Sequence, residues 1–321
     1  VDGDRRHTPD PTFVAGPTQV DRADRLAAAI GLDAGDLLVK RDDLIGLGGG
    51  GNKARKLQIT MGEALRSGAE WVLTTGAPQS NHARLTAAAA ARVGLRCALV
   101  LQGDAPDTRR GNVLLDQLFG AHLVWSGDAT AESVADALEA EGRFGPVSRI
   151  PFGGSNAASA TAYVDAAREL REQVPDVRHV VVAIGSGGTM AGLVAELGAE
   201  VVLGVDCGAV PDGRATVAAL LADMGHGDRS PAEALRVDRT QIGAGYEHLT
   251  DGTRAAMSLA AEQEGLLLDP TYTGRAFSGL VDAVARGDIR PGERTVFLHT
   301  GGLPGLFGHP AFSGADASPS A

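Results

Sequence analysis

Lysine is almost missing from this chain of 321 residues: of its 29 basic side chains only Lys40, Lys53 and Lys56 are amines. A coding bias towards arginine accounts for the scarcity, but not for all three falling within one short stretch. A guanidinium stays protonated and forms no Schiff base, whereas a lysine amine can lose its proton and attack a carbonyl. Cysteine is equally sparse. Cys97 and Cys207 lie far apart in apolar runs, LRCALV and LGVDCG, which excludes a disulfide framework and reads as two buried thiols in a reducing compartment. No apolar run reaches the length of a membrane span. The net charge of -11 and the isoelectric point near 5.2 oppose a nucleic-acid or anionic-membrane partner. VDGDRRHTPDPTF lacks a secretory apolar core, so a cytoplasmic protein is expected. Among eight histidines there is no H-E-x-x-H and no short-spaced pair with cysteine, and no metal is expected.

What is present is a regular alternation. Strand-length apolar runs occur at 37–41, 71–76, 96–103, 122–125, 179–185, 201–206 and 294–302, separated by helical patterns such as ARLTAAAAARVG, NVLLDQLFG and AGLVAELG that end on glycine. Continuous rather than alternating apolar strands predict sheets covered on both faces, hence an α/β fold with mostly parallel strands. Ligands of such sheets lie beyond the carboxyl ends of the strands, and there the polar, glycine-rich segments fall: TTGAPQSNH, AIGSGGT and LHTGG. PFGGSNAASA, 151–160, looks like a hinge between two lobes.

GSGGTMAGL, 185–193, follows one strand and opens a helix; its small residues let backbone N–H groups close around a phosphate, with Ser186 and Thr189 adding hydroxyls. A glycine turn needed only for packing is the bland reading. Gly185, Gly187 and Asp206 also imitate a dinucleotide fingerprint, although Met190 stands where a small residue belongs, which keeps an NAD-dependent oxidoreductase as a distant alternative. Four consecutive glycines, 48–51, lead to Asn52 and Lys53, with Arg55 and Lys56 following; neighbouring charge and burial both depress an amine. A solvated lysine at a helix start is the alternative there. Ser80, Asn81 and His82 open an alanine-rich helix and form either a carboxylate seat or simply a cap. GGSNA, 153–157, lacks the last glycine of a nucleophile elbow. Tyr246 and Tyr272, two of only three tyrosines, sit in polar, glycine-flanked loops.

In this order, GGNKARKL, QSNHAR, GSGGT, DPTYTGR and HTGG resemble the pyridoxal-phosphate enzymes of the tryptophan-synthase-β type, fold type II, and more narrowly the family of D-cysteine desulfhydrase and 1-aminocyclopropane-1-carboxylate deaminase. The resemblance implies a large domain of residues 1–53 and 161–321 with a small α/β domain, 54–160, inserted. It implies that Lys53 holds pyridoxal 5'-phosphate covalently, that Gly185, Ser186, Gly187, Gly188 and Thr189 cradle the phosphate, and that Asn81 bonds the ring's phenolic oxygen. Ser80, with Asn81 and His82, would take the substrate carboxylate, Tyr272 would lie on or beside the ring, and Tyr246 and Thr273 would face the substrate. The deaminases carry a glutamate after the tyrosine matching Tyr272, a leucine in the motif matching HTGG, and a glutamine where His82 stands. This chain has Thr273 and Thr300 instead, and a hydroxyl beside the pyridine nitrogen makes a weaker electron sink than a carboxylate. The implied activity is β-elimination from a small amino acid, D-cysteine foremost, by a cytoplasmic homodimer; a cyclopropane deaminase and an L-cysteate sulfo-lyase are the alternatives within the family. GYEHLTDG departs from the proline-containing loop of relatives and brings Glu247 and His248 towards the substrate.

Overall fold

Ten strands form two sheets among the described residues, 11–312, of a computed structural model. They are Val20–Arg22 (β1), Leu37–Lys40 (β2), Trp71–Gly76 (β3), Arg96–Leu101 (β4), His122–Trp125 (β5), Val147–Arg149 (β6), His179–Ile184 (β7), Val202–Asp206 (β8), Arg236–Asp238 (β9) and Thr295–Leu298 (β10). One sheet runs β1-β2-β10-β7-β8-β9, the other β5-β4-β3-β6. Every pairing is parallel except β1 with β2. Parallel strands need helical crossovers, and these cover the faces, so β7 and β8 are buried almost throughout, as their unbroken apolar runs require. The α/β expectation with mostly parallel sheets therefore holds.

All seven strands expected from apolar runs are present. The three that the runs do not announce, β1, β6 and β9, are each three residues long, half-buried, and at a sheet edge.

The described chain divides into two compact units, one of residues 11–15, 46–154 and 304–312, the other of residues 16–45 and 155–303. The first contains β3–β6 and the second β1, β2 and β7–β10. Residues 46–53 and 304–312, which the resemblance implies belong to the large domain, pack in the first unit. Their contacts explain why. Arg84 donates to the carbonyls of Gly48 and Gly50, and a Cβ on Gly111 would meet the Pro304 carbonyl at 2.5 Å.

In the second unit, helices Ala157–Gln173 and Gly188–Leu197 pack so closely that a Cβ on Gly192 would lie 2.4 Å from the Ala160 carbonyl. Beneath them Tyr163, Val180, Val182, Ile184, Met190 and Val296 form the core. The 151–160 stretch becomes a short 3-10 turn, Phe152–Gly154, and then a helix start closed by a capping box between Asn156 and Ser159. The Ser155 hydroxyl lies 2.7 Å from that of Ser186.

Candidate active site

Gly48, Gly49, Gly50 and Gly51 all have positive φ, 52, 86, 83 and 127 degrees. Four such residues in succession are open only to glycine. A side chain would also collide: Cβ at Gly48 would come within 2.5 Å of Ala88 Cβ. The loop's carbonyls turn inward to Arg84, a fully buried guanidinium that donates to Gly48 O and, at 2.9 Å, to Gly50 O. Lys53 then begins helix Lys53–Arg66 and is half-buried. One turn on, Lys56 is fully buried with Nζ 2.7 Å from Gly153 O; burial, and then the charge of Lys53, hold it well below the usual lysine range. The lysine cluster thus divides into one exposed enough to react and one enclosed.

Ser80 caps helix Asn81–Val93, its Oγ accepting from Ala83 N at 3.1 Å. The capping reading is realised, and the hydroxyl keeps its own proton to donate. Asn81 is half-buried; its Oδ1 accepts from Asn112 Nδ2 at 3.0 Å, while its Nδ2 makes no hydrogen bond among the described residues. His82 turns inward, Nε2 2.9 Å from Thr74 Oγ1, and a Cβ on Gly154 would lie 3.2 Å from its ring. Burial, then the charges of Lys53 and Lys56, push its pKa well down, so the ring is neutral. His82 was expected to face substrate; it instead lies within the wall behind that helix.

In the second unit β7 ends at Ile184, and the missing side chain of Gly185, the next residue, makes room for Tyr272: a Cβ there would be 3.0 Å from Cε1 of that ring. Gly187 has φ 82 degrees and occupies the N-cap of helix Gly188–Leu197, where no side chain caps the first turn. Ser186 and Thr189 are nearly buried on either side. The turn therefore presents the N–H groups and dipole of a helix start, the arrangement that suits a phosphate. Asp206, the acid of the dinucleotide reading, is buried and accepts from Gly208 N at 2.9 Å and Gly213 N at 3.3 Å, which takes its carboxylate away from any ribose.

Tyr246 and Tyr272 meet, their hydroxyl oxygens 2.5 Å apart and their rings at 70 degrees. Both residues keep some surface, but their hydroxyl ends lie deep, and burial raises both phenols so that they stay protonated through the neutral range. For Tyr272 the neighbouring Tyr246 adds to the rise. Arg275, fully buried, holds the Tyr246 loop through the carbonyls of Cys207, Gly245, Tyr246 and His248. Glu247 and His248 themselves are exposed.

Sequence reasoning gave no role to Asp269, which organises the DPTYTGR loop. Its carboxylate accepts from the N–H groups of Thr271, Tyr272 and Thr273 and from Thr273 Oγ1, at 3.1, 3.0, 2.8 and 2.7 Å. Burial still leaves its pKa above the ordinary value. Gly302 makes this possible, since a Cβ there would be 2.6 Å from the carboxylate. Thr273, expected to meet substrate, has its hydroxyl taken up by this network: it donates to Asp269 Oδ1 and accepts from Asp269 N at 2.8 Å. Thr300, just past β10, is 9% exposed, and its hydroxyl has no hydrogen-bond partner among the described residues.

Comparison with known proteins places the chain in a family. The family described as "Pyridoxal-phosphate dependent enzyme" matches residues 12–301. The chain belongs to that family, and it is a pyridoxal-phosphate-dependent enzyme. A protein of Pyrococcus abyssi named putative 1-aminocyclopropane-1-carboxylate deaminase is 37% identical, over 92% of both chains. The D-cysteine desulfhydrase of Salmonella typhimurium is 36% identical, over 92% of this chain and 95% of that one. A crystal structure titled as an ACC deaminase homologue superposes with a TM-score of 0.83 at 33% identity, covering 94% of each chain. Threonine deaminase isoform 2 of Solanum lycopersicum shares the fold, with a TM-score of 0.65 at 18% identity over 90% of this chain and 80% of that one.

Proposed function

We propose that the chain is a lyase that eliminates the β-substituent of a small amino acid, D-cysteine foremost, giving pyruvate, ammonia and hydrogen sulfide. The residues fit the cofactor in three respects: an uncapped helix start at Gly187, an uncommitted donor at Asn81 Nδ2, and an unpartnered hydroxyl at Thr300. In this reading Lys53 carries pyridoxal phosphate, the 185–189 turn holds its phosphate, Asn81 donates to its phenolic oxygen, and Thr300 lies at the pyridine nitrogen. When bound, the cofactor supplies a sink for the charge left at Cα.

The protein's own side chains do the rest. The Lys53 amine would take the Cα proton of the substrate. Ser80 and the first amides of its helix seat the substrate carboxylate, positive helix end towards negative charge. Tyr246 or Tyr272, both protonated, supplies a proton to the leaving sulfur. The neutral His82 and the enclosed Lys56 keep the wall behind Lys53 dry and bring in no competing acid. Work as a homodimer in the cytoplasm belongs to the same proposal, and two buried free thiols suit that reducing compartment.

The observation that carries the elimination reading is Thr300, an uncommitted and nearly buried hydroxyl in the motif where the deaminases carry a leucine, together with a threonine instead of their glutamate at position 273. The Thr300 hydroxyl would hydrogen-bond the cofactor's ring nitrogen without holding it protonated, which suits a reaction in which the leaving group departs quickly. Cyclopropane deamination is the second reading, favoured by the name of the Pyrococcus abyssi relative. D- and L-cysteine, L-cysteate and 1-aminocyclopropane-1-carboxylate, offered singly, separate the two. Sulfide and pyruvate from D-cysteine are expected; 2-oxobutyrate from the cyclopropane substrate with no sulfide from either cysteine would overturn the elimination reading.

A further inference from the structure

An asparagine amide can turn either its oxygen or its nitrogen towards a neighbour, so the direction in which Asn81 donates depends on what fixes that amide. Asn112 fixes it. Fully buried, Asn112 donates its backbone N–H to Gln79 Oε1 at 2.9 Å, and its Nδ2 to the Gln79 carbonyl at 2.8 Å and to Asn81 Oδ1 at 3.0 Å. A main-chain carbonyl only accepts, so the atom of Asn112 that faces Gln79 O is the nitrogen. The same nitrogen faces Asn81, and the atom of Asn81 that meets it is therefore the oxygen. Asn81 Nδ2 is left on the other side of its amide, with no hydrogen bond among the described residues.

The arrangement is kept despite its cost, for Asn112 Oδ1 is buried with no hydrogen-bond partner among the described residues. Gly111 permits it. That residue has φ 54 degrees, and a Cβ there would lie 2.4 Å from Gln79 Oε1, so only glycine lets the helix start approach Gln79 this closely.

We infer that Asn112 is a positioning residue of the active site: it locks the Asn81 amide with its nitrogen turned outward, as a donor to the phenolic oxygen of the bound cofactor. The inference rests on the reading of Asn81 given under the proposed function. A donor on that oxygen favours its negative form, and so lowers the pH at which the bound cofactor's visible absorbance titrates.

The test is an absorbance titration against pH of the cofactor-loaded enzyme, in the wild type, Asn81→Ala, Asn112→Asp and the double variant. In Asn112→Asp the carboxylate only accepts, so the Asn81 amide turns over and offers oxygen outward. Its titration midpoint is expected to rise by about one pH unit, the size of one net hydrogen bond. Asn81→Ala is expected to raise the midpoint similarly, and the double variant no further. An unmoved midpoint in Asn112→Asp beside a raised one in Asn81→Ala overturns the inference and leaves the reading of Asn81 standing. An unmoved midpoint in Asn81→Ala overturns both. A shift from Asn112→Asp that persists undiminished without Asn81 also overturns the inference, since the effect then bypasses that amide. Should the buried carboxylate prevent folding, Asn112→Leu serves: it imposes no orientation, and a smaller rise, absent in the Asn81→Ala background, is expected.

Discussion

Replacing Thr273 with valine separates a hydroxyl that holds the loop from one that meets substrate. The two side chains have nearly the same shape, so the change removes only the bonds. Lost are the donation to Asp269 Oδ1 at 2.7 Å and the acceptance from Asp269 N at 2.8 Å, both buried. A hydrogen bond to a charged group contributes about 1.5–3 kcal/mol, and a stranded buried N–H costs about 1–3 kcal/mol. The carboxylate keeps its three backbone donors, so the sum falls towards the lower end, about 3 kcal/mol. For a unit of this size that lowers the melting temperature by roughly 6–12 °C. Calorimetry of the cofactor-loaded protein reads it directly, with Thr273→Ser, which keeps both bonds, near wild type. A valine variant that melts within a degree of wild type, yet has lost turnover, would show that the hydroxyl faces the substrate and that the Asp269 network is not its purpose.

Alanine at Gly187 must adopt φ 82 degrees and bring Cβ to 3.3 Å from Leu220, Thr216 and Val217; at about 1–2 kcal/mol of left-handed strain, cofactor affinity should fall by roughly tenfold, measured by equilibrium titration. Tyr246→Phe removes one phenol of the pair and should cut turnover by about a hundredfold with the cofactor spectrum intact, as expected for a lost proton donor. Asp116, whose two oxygens are buried without a hydrogen-bond partner among the described residues, has its pKa pushed up to about 8 by burial. The native state then keeps a proton that the unfolded chain gives up near its ordinary value of 3.8, so stability is full below that pH and falls as pH rises towards about 8, by on the order of 1 kcal/mol per unit. Asp116→Asn should flatten this decline, read from urea midpoints at about pH 5 and about pH 9.

What the sequence made legible follows from what it encodes locally. Buried parallel strands leave unbroken apolar runs, and all seven such runs are strands. β1, β6 and β9 leave none, because an edge strand of three half-buried residues needs only backbone pairing on one side. The glycine runs were readable as sites of close approach, although the reason, four positive φ angles before Lys53, appears only in three dimensions.

Residues that act through distant partners left little trace. Asn112 lies 31 positions from Asn81, and no local pattern joins them. Arg84 and Arg275 were visible inside QSNHAR and DPTYTGR, but not as buried clamps gathering the carbonyls of the loops that carry Lys53 and Tyr246. Their identity fits the shortage of lysine, since a guanidinium stays charged when buried and reaches several carbonyls at once. Asp269 could have been found. An aspartate followed two to four residues later by the amides it accepts is a turn signal, and DPTYT has that spacing. A motif gives the order of side chains and not which way each one turns, so the bonds of His82 to Thr74 and of Thr273 to Asp269 are not legible in it.

With only three lysines in the chain, the attachment of the cofactor can be read without ambiguity. The loaded enzyme is reduced with borohydride, digested, and the lysine bearing the added pyridoxyl mass is identified by mass spectrometry. That mass is expected on Lys53 alone, with Lys56 protected by its burial against Gly153 and Lys40 by its buried contacts with Thr18, Glu169 and Gln173. Label on Lys40 or Lys56 with Lys53 unmodified, or bound cofactor that leaves no lysine labelled, would contradict that expectation.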